Sequence, residues 1–87
     1  MKATHPTEDW LQTVFQVIGF ERLAFVSDVA EAVPQDETCR LAELRFESDG
    51  VRVSGQLTVR SSDNRQLSGI TRRLLAVRGV VSVNEIQ

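Results

Sequence analysis

The residues of this chain that can do chemistry are few and scattered. His5 is the only histidine and sits beside Pro6 in a short N-terminal tail, where no second ligand or base accompanies it. Cys39 is the only cysteine, so no intrachain disulfide and no thiolate metal site can form, and no histidine lies near it in sequence to activate it. Glu43 and Glu47 share a parity that projects both from one face of a strand, a pattern that surface charge explains without an acid–base pair. Gly50 and Gly55 do not open a helix after a strand, so they are no phosphate-binding fingerprint. Arg65, Arg72 and Arg73 form a basic group suited to phosphate or an acidic partner, with a solvated helix face as the simpler reading. The expectation is a chain that is not an enzyme and holds no cofactor and no metal.

Composition narrows the class further. The 87 residues suffice for one domain with one modest core. A net charge of −2 argues against non-specific nucleic-acid binding, and five aromatic residues are too few for a base-stacking platform. The charge is unevenly divided. Residues 8–49 hold ten acids and three arginines, whereas residues 50–87 hold six arginines and two acids. Such a division offers opposite patches to a partner or to another copy of the chain. The longest apolar stretch, residues 14–20, is interrupted by Gln16 and is too short to span a bilayer.

The elements that must position these residues follow from the hydrophobic pattern. Thr7 can cap a helix whose first turn carries Glu8 and Asp9, and Leu11, Val14, Phe15 and Ile18 form a stripe with helical spacing beside Trp10. Phe25, Val26, Val29, Ala30 and Val33 resume a helical stripe that Pro34 stops. A single helix over residues 8–33 would be about 39 Å long, so a break near Gly19 is expected. A strand over residues 23–29 is the competing reading. Ala42, Leu44 and Phe46 then alternate with Glu43, Arg45 and Glu47, and Asp49-Gly50 marks a type I′ hairpin. The return strand turns Val51, Val53, Leu57 and Val59 inward and Arg52, Ser54, Gln56, Thr58 and Arg60 outward. Gly55 lies on the inward set, where a helix can approach or a bulge can form.

Asp63 and Gln66 have the spacing of a capping box, with Ser62 as a rival cap. The helix that follows buries Leu67, Ile70, Leu74 and Val77, exposes Arg65, Arg72 and Arg73, and ends at Gly79 as a left-handed cap. Val81 and Val83 start a last strand. The predicted fold is α+β, a ferredoxin-like two-layer sandwich of order α-α-β-β-α-β, with an antiparallel sheet and its helices on one face. The expected division is a disordered tail or trimmed edge at residues 1–6 and one domain at residues 7–87, with an accessory helix at 7–19 and the core at 20–87.

Leu41-x-x-Leu44, Pro34, Gly50 and Ser54-Gly55 within residues 25–83 resemble the membrane-distal domain of the fimbrial-assembly PilN family and of the related L protein (GspL) of type II secretion. That resemblance implies a non-catalytic assembly module at the periplasmic face of a bacterial inner membrane, part of a type IV pilus or secretion platform. It implies pairing with itself as a homodimer or with a sister subunit, and a membrane segment absent from this chain. The rhythm of residues 50–55 and 79–83 is also similar to BON and ring-building domains. It is similar as well to ACT-like regulatory domains, which bind small effectors between subunits and would set the chain in the cytoplasm. ACT-like domains open with a strand and a turn before the first helix, whereas only six residues precede Thr7 and no glycine-rich turn lies there, which disfavours that reading. The interface hypothesis names Arg52, Ser54, Gln56, Thr58, Arg65, Arg72 and Arg73, with the sheet's edge or outward face as the docking surface.

Overall fold

The computed structural model describes residues 10–62 and 64–86, and its element order is β1 (Leu11–Phe20), α1 (Phe25–Glu31), β2 (Cys39–Ser48), β3 (Arg52–Ser61), α2 (Asn64–Leu75) and β4 (Val80–Ile86). The predicted N-terminal helix is therefore corrected. Residues 11–20 are a strand at the centre of the sheet, and the order is β-α-β-β-α-β. The residues that suggest a helical stripe also alternate: Thr13, Phe15, Val17 and Gly19 are buried, while Val14, Gln16 and Ile18 are only partly so. Both patterns fit the apolar positions, and long-range pairing decides between them. Antiparallel partners lie on both sides, Phe15 opposite Leu57 in β3 and Val17 opposite Val83 in β4. Thr7, Glu8 and Asp9 lie outside the described residues.

The four strands form one antiparallel sheet in the order β2-β3-β1-β4. Both helices cover the same face. Phe25 and Val29 of α1 and Leu67, Ile70 and Leu74 of α2 share one core cluster with Phe15, Val17, Val53, Leu57 and Val59. Each such side chain contributes roughly 1.5–3 kcal/mol by leaving water. Among the described residues the opposite face carries no helix. This is the α+β sandwich anticipated from the pattern, with a strand in place of the accessory helix.

Three local expectations change. In β2, Leu41 pairs with Val59 and Glu43 with Thr58, leaving Ala42 as the extra residue of a bulge. The helix-facing set is thus Cys39 and Leu41, then Leu44 and Phe46, and the Leu41-x-x-Leu44 spacing is the mark of the bulge. The hairpin loop has three residues, 49–51, and only Gly50 takes a positive φ, 95°. Asp49 Oδ1 accepts from the Val51 and Arg52 amides at 2.9 and 2.8 Å, which replaces the type I′ geometry. Gly79 does not cap α2, which ends at Leu75. With φ 96° it sits third in a turn closed by the Val80 amide on Val77 O at 3.1 Å, where type II geometry requires a positive φ. Gly55 leaves room for the Phe46 ring from the neighbouring strand, and that ring in turn meets Phe25 edge-on at 6.1 Å. Of the capping box, Asp63 lies outside the described residues, and Gln66 Nε2 donates to Thr38 Oγ1 at 2.8 Å.

Candidate functional site

The residues singled out for chemistry do not converge. His5 lies outside the described residues. Cys39 is fully buried at the start of β2, where burial first and the charge of Asp36 second push its thiol up, away from the reactive thiolate. Glu43 is exposed on the open sheet face and pairs with Arg45 at 3.3 Å. Among the described residues no group of three or more His, Cys, Asp or Glu side chains is placed to hold a metal ion.

The seven interface candidates fall on two surfaces with the sheet between them. Arg52, Ser54, Gln56 and Thr58 project from the open face of β3. Arg65, Arg72 and Arg73 lie exposed on α2, on the other side. β3 is an interior strand paired on both flanks, so its candidates offer side chains and no free backbone; among the described residues the sheet's edges are β2 and β4. Ser54 and Gln56 line a small groove of about 210 Å³ with Gln16, Arg45 and Glu47.

A larger cleft, about 720 Å³, opens where the short helix α1 leaves the edge strand β2 partly uncovered. Leu23, Phe25, Val26, Ala30, Leu44 and Val53 supply its apolar wall, and Glu21, Arg22 and Ser27 supply polar groups. The turn that shapes it, residues 21–24, is held by Arg22. Its Nε donates to Arg78 O, one guanidinium nitrogen to Leu23 O and the other to Asp28 Oδ2, each at 2.8 Å, while the guanidinium lies 5.8 Å from the Phe25 ring centre. One side chain thus ties the β1–α1 turn to the α2–β4 turn. The Phe20 amide adds a bond to Gly79 O at 3.0 Å, and the Glu21 amide one to Val51 O at 2.9 Å. Glu21 also bonds Ser48 through their side chains.

Two features of this turn are unusual. Ala24, the residue before α1, has φ 66° with no side-chain cap, a left-handed conformation that costs a residue with a Cβ roughly 1–2 kcal/mol. Leu23 is 93% exposed at the mouth of the cleft, beside half-exposed Val26. Sequence reasoning missed the cleft because it depends on β1 ending at Phe20. Once residues 11–20 are read as a helix, Arg22 and Leu23 lose their place as turn residues. An apolar cleft with polar groups at its rim can hold a small molecule by its hydrophobic body and orient its polar end.

No protein-family model and no curated protein matches this sequence. Among solved structures, the crystal structure of the ACT domain from the GTP pyrophosphokinase of Chlorobium tepidum superposes with a TM-score of 0.76 at 12% identity, over 88% of this chain and 99% of that one. The solution NMR structure of the same domain gives 0.74 at 11% identity, over 91% and 89%. The chain therefore has the ferredoxin-like fold of an ACT domain. The strand and turn that such a domain places before its first helix are present as β1 and residues 21–24. The resemblance to pilus and secretion assembly proteins gains no support from these comparisons. Among the described residues no helix is long and apolar enough to cross a membrane.

Proposed function

We propose that this chain is a non-catalytic regulatory domain that takes a small effector in the cleft between the 21–24 turn, α1 and β2. The observation that carries the reading is the cleft itself: an apolar wall of Leu23, Val26, Leu44 and Val53 behind a turn that Arg22 holds in place. The ACT-domain likeness supports it at the level of fold, since the neighbour is by its name a domain of a larger enzyme, GTP pyrophosphokinase. On this reading the domain works in the cytoplasm and transmits occupancy of the cleft through the two turns that Arg22 joins.

Thermal melts against a panel of amino acids and nucleotides test it. A ligand that binds only the native state at 100 times its Kd adds about 2.7 kcal/mol, enough for a dose-dependent rise in Tm. A Leu44→Arg change at the cleft wall abolishes that rise. No rise with any compound, or a rise that Leu44→Arg leaves intact, overturns the assignment.

A second reading, an assembly module that pairs with its own copy or a sister subunit, is favoured by β2. This strand is a free edge, and its open face reads Glu43, Arg45, Glu47. Antiparallel pairing with a second β2 about Leu44 sets each Glu43 opposite the partner's Arg45 and covers the half-exposed Leu44. Sedimentation of Arg45→Glu separates the readings, because it places like charges opposite one another in the paired edge and leaves the cleft unaltered.

A further inference from the structure

The uneven charge of the sequence becomes a spatial division in the helical layer. α1 carries Asp28 and Glu31 and no basic residue; α2 carries Arg65, Arg72 and Arg73 and no acidic one, and Arg78 follows it. The two helices lie side by side on one face of the sheet. Of these charges Asp28 pairs within the chain, with Arg22, and Arg65 is also engaged. Among the described residues Glu31, Arg72, Arg73 and Arg78 make no ion pair, although Glu31, Arg73 and Arg78 line the same inter-helix cleft of about 420 Å³.

The outer crest of α2 reads Arg65, Gly69, Arg72 at helical spacing, with Ala76 just beyond its end. Gly69 weakens the helix by roughly 0.5–1 kcal/mol relative to alanine, and nothing among the described residues accounts for it: a Cβ at this position would meet no atom within 4 Å. The crest of α1 is acidic and small, with Ser27 and Glu31 exposed beside Ala30.

We propose that the helical layer is a docking surface for a second copy of this chain, stacked face to face about a two-fold axis parallel to the helices. Each acidic α1 then lies on the partner's basic α2. The occupant is a second copy because a half-turn about that axis carries the unpaired Glu31 of each chain onto the partner's basic helix, at the level where Glu31, Arg73 and Arg78 already share one cleft. Gly69 lets the partner's backbone come close between Arg65 and Arg72. Ser27 and Ala30 of α1 also line the 720 Å³ cleft, whereas Glu31, Arg72 and Arg73, the charges to be reversed, lie outside both that cleft and the β2 edge.

The test is sedimentation of the intact chain in low and high salt with three variants. The parent forms a dimer whose Kd weakens at least roughly tenfold between 50 and 500 mM salt, as screening of exposed charge requires. Arg72→Glu with Arg73→Glu is monomeric, Glu31→Arg is monomeric, and an equimolar mixture of the two re-forms a 1:1 dimer because each reversed helix meets its complement. Gly69→Leu dissociates the parent without changing its charge. Circular dichroism confirms that each variant is folded, as their exposed positions predict. A monomeric parent at low salt, a dimer that survives both reversals, or folded variants whose mixture stays monomeric overturns the proposal. A dimer lost only in Arg45→Glu belongs to the β2 edge and overturns it equally.

Discussion

The two halves of the helical layer are built differently. Over β1 and β4, the 12-residue helix α2 sets Leu67, Ile70 and Leu74 into the core with almost no exposed surface. Over β2, the seven-residue helix α1 buries Phe25 and Val29 and leaves Leu44 and Val26 more than a third exposed. A single antiparallel sheet thus has a closed side and an open side. The difference shows where stability and function reside. A longer helix closes its half of the sheet into a core, and a shorter one leaves an apolar wall in contact with solvent, shaped by a turn held from the closed side through Arg22 and Arg78.

The sharpest way to break this comparison is to truncate one side chain on each side. Ile70→Ala is expected to cost about 2–5 kcal/mol in chemical denaturation, since it empties a fully buried position. Leu44→Ala should cost less than about 1 kcal/mol, because its side chain is already partly in water; equal costs would mean that the open side is as closed as the other. Arg22→Ala comes next, at about 1–3 kcal/mol for hydrogen bonds to a charged group. It should also speed hydrogen exchange at the Phe20 amide, whose acceptor Gly79 O belongs to the turn that Arg22 holds.

Smaller and opposite in sign is Ala24→Gly, which relieves the left-handed backbone and should stabilise the fold by about 0.5–1 kcal/mol. The smallest effect is in acid. The Arg52 and Val51 amides hold the Asp49 carboxyl below its ordinary value of 3.8, so its contribution is fully present above that value and is lost as pH falls through the lower folded one. An Asp49→Asn variant should show a shallower loss of Tm below pH 4.

The closed side was the more legible in sequence. Leu67, Ile70 and Leu74 recur at helical spacing with Arg65, Arg72 and Arg73 facing out, and no other period fits twelve residues. The alternation of residues 52–60 was equally plain. The open side was legible only in part. The apolar spacing of residues 11–18 satisfies a helix and a strand alike, and what selects the strand is pairing with residues 36 to 50 positions away, a non-local contact that no short window contains. That one ambiguity hid the turn, the role of Arg22 and the cleft together. The β2 bulge was present in the sequence as Leu41-x-x-Leu44, a phase shift of one residue in an otherwise strict alternation.

The most direct test of the account is an amide chemical-shift titration of the isotopically labelled chain with a pool of amino acids and a pool of nucleotides. The account predicts saturable shifts concentrated at residues 21–27, Leu44 and Val53, with the α2 core residues unmoved. Saturable shifts confined to α2 and β4, or no saturable shift with either pool, would contradict it.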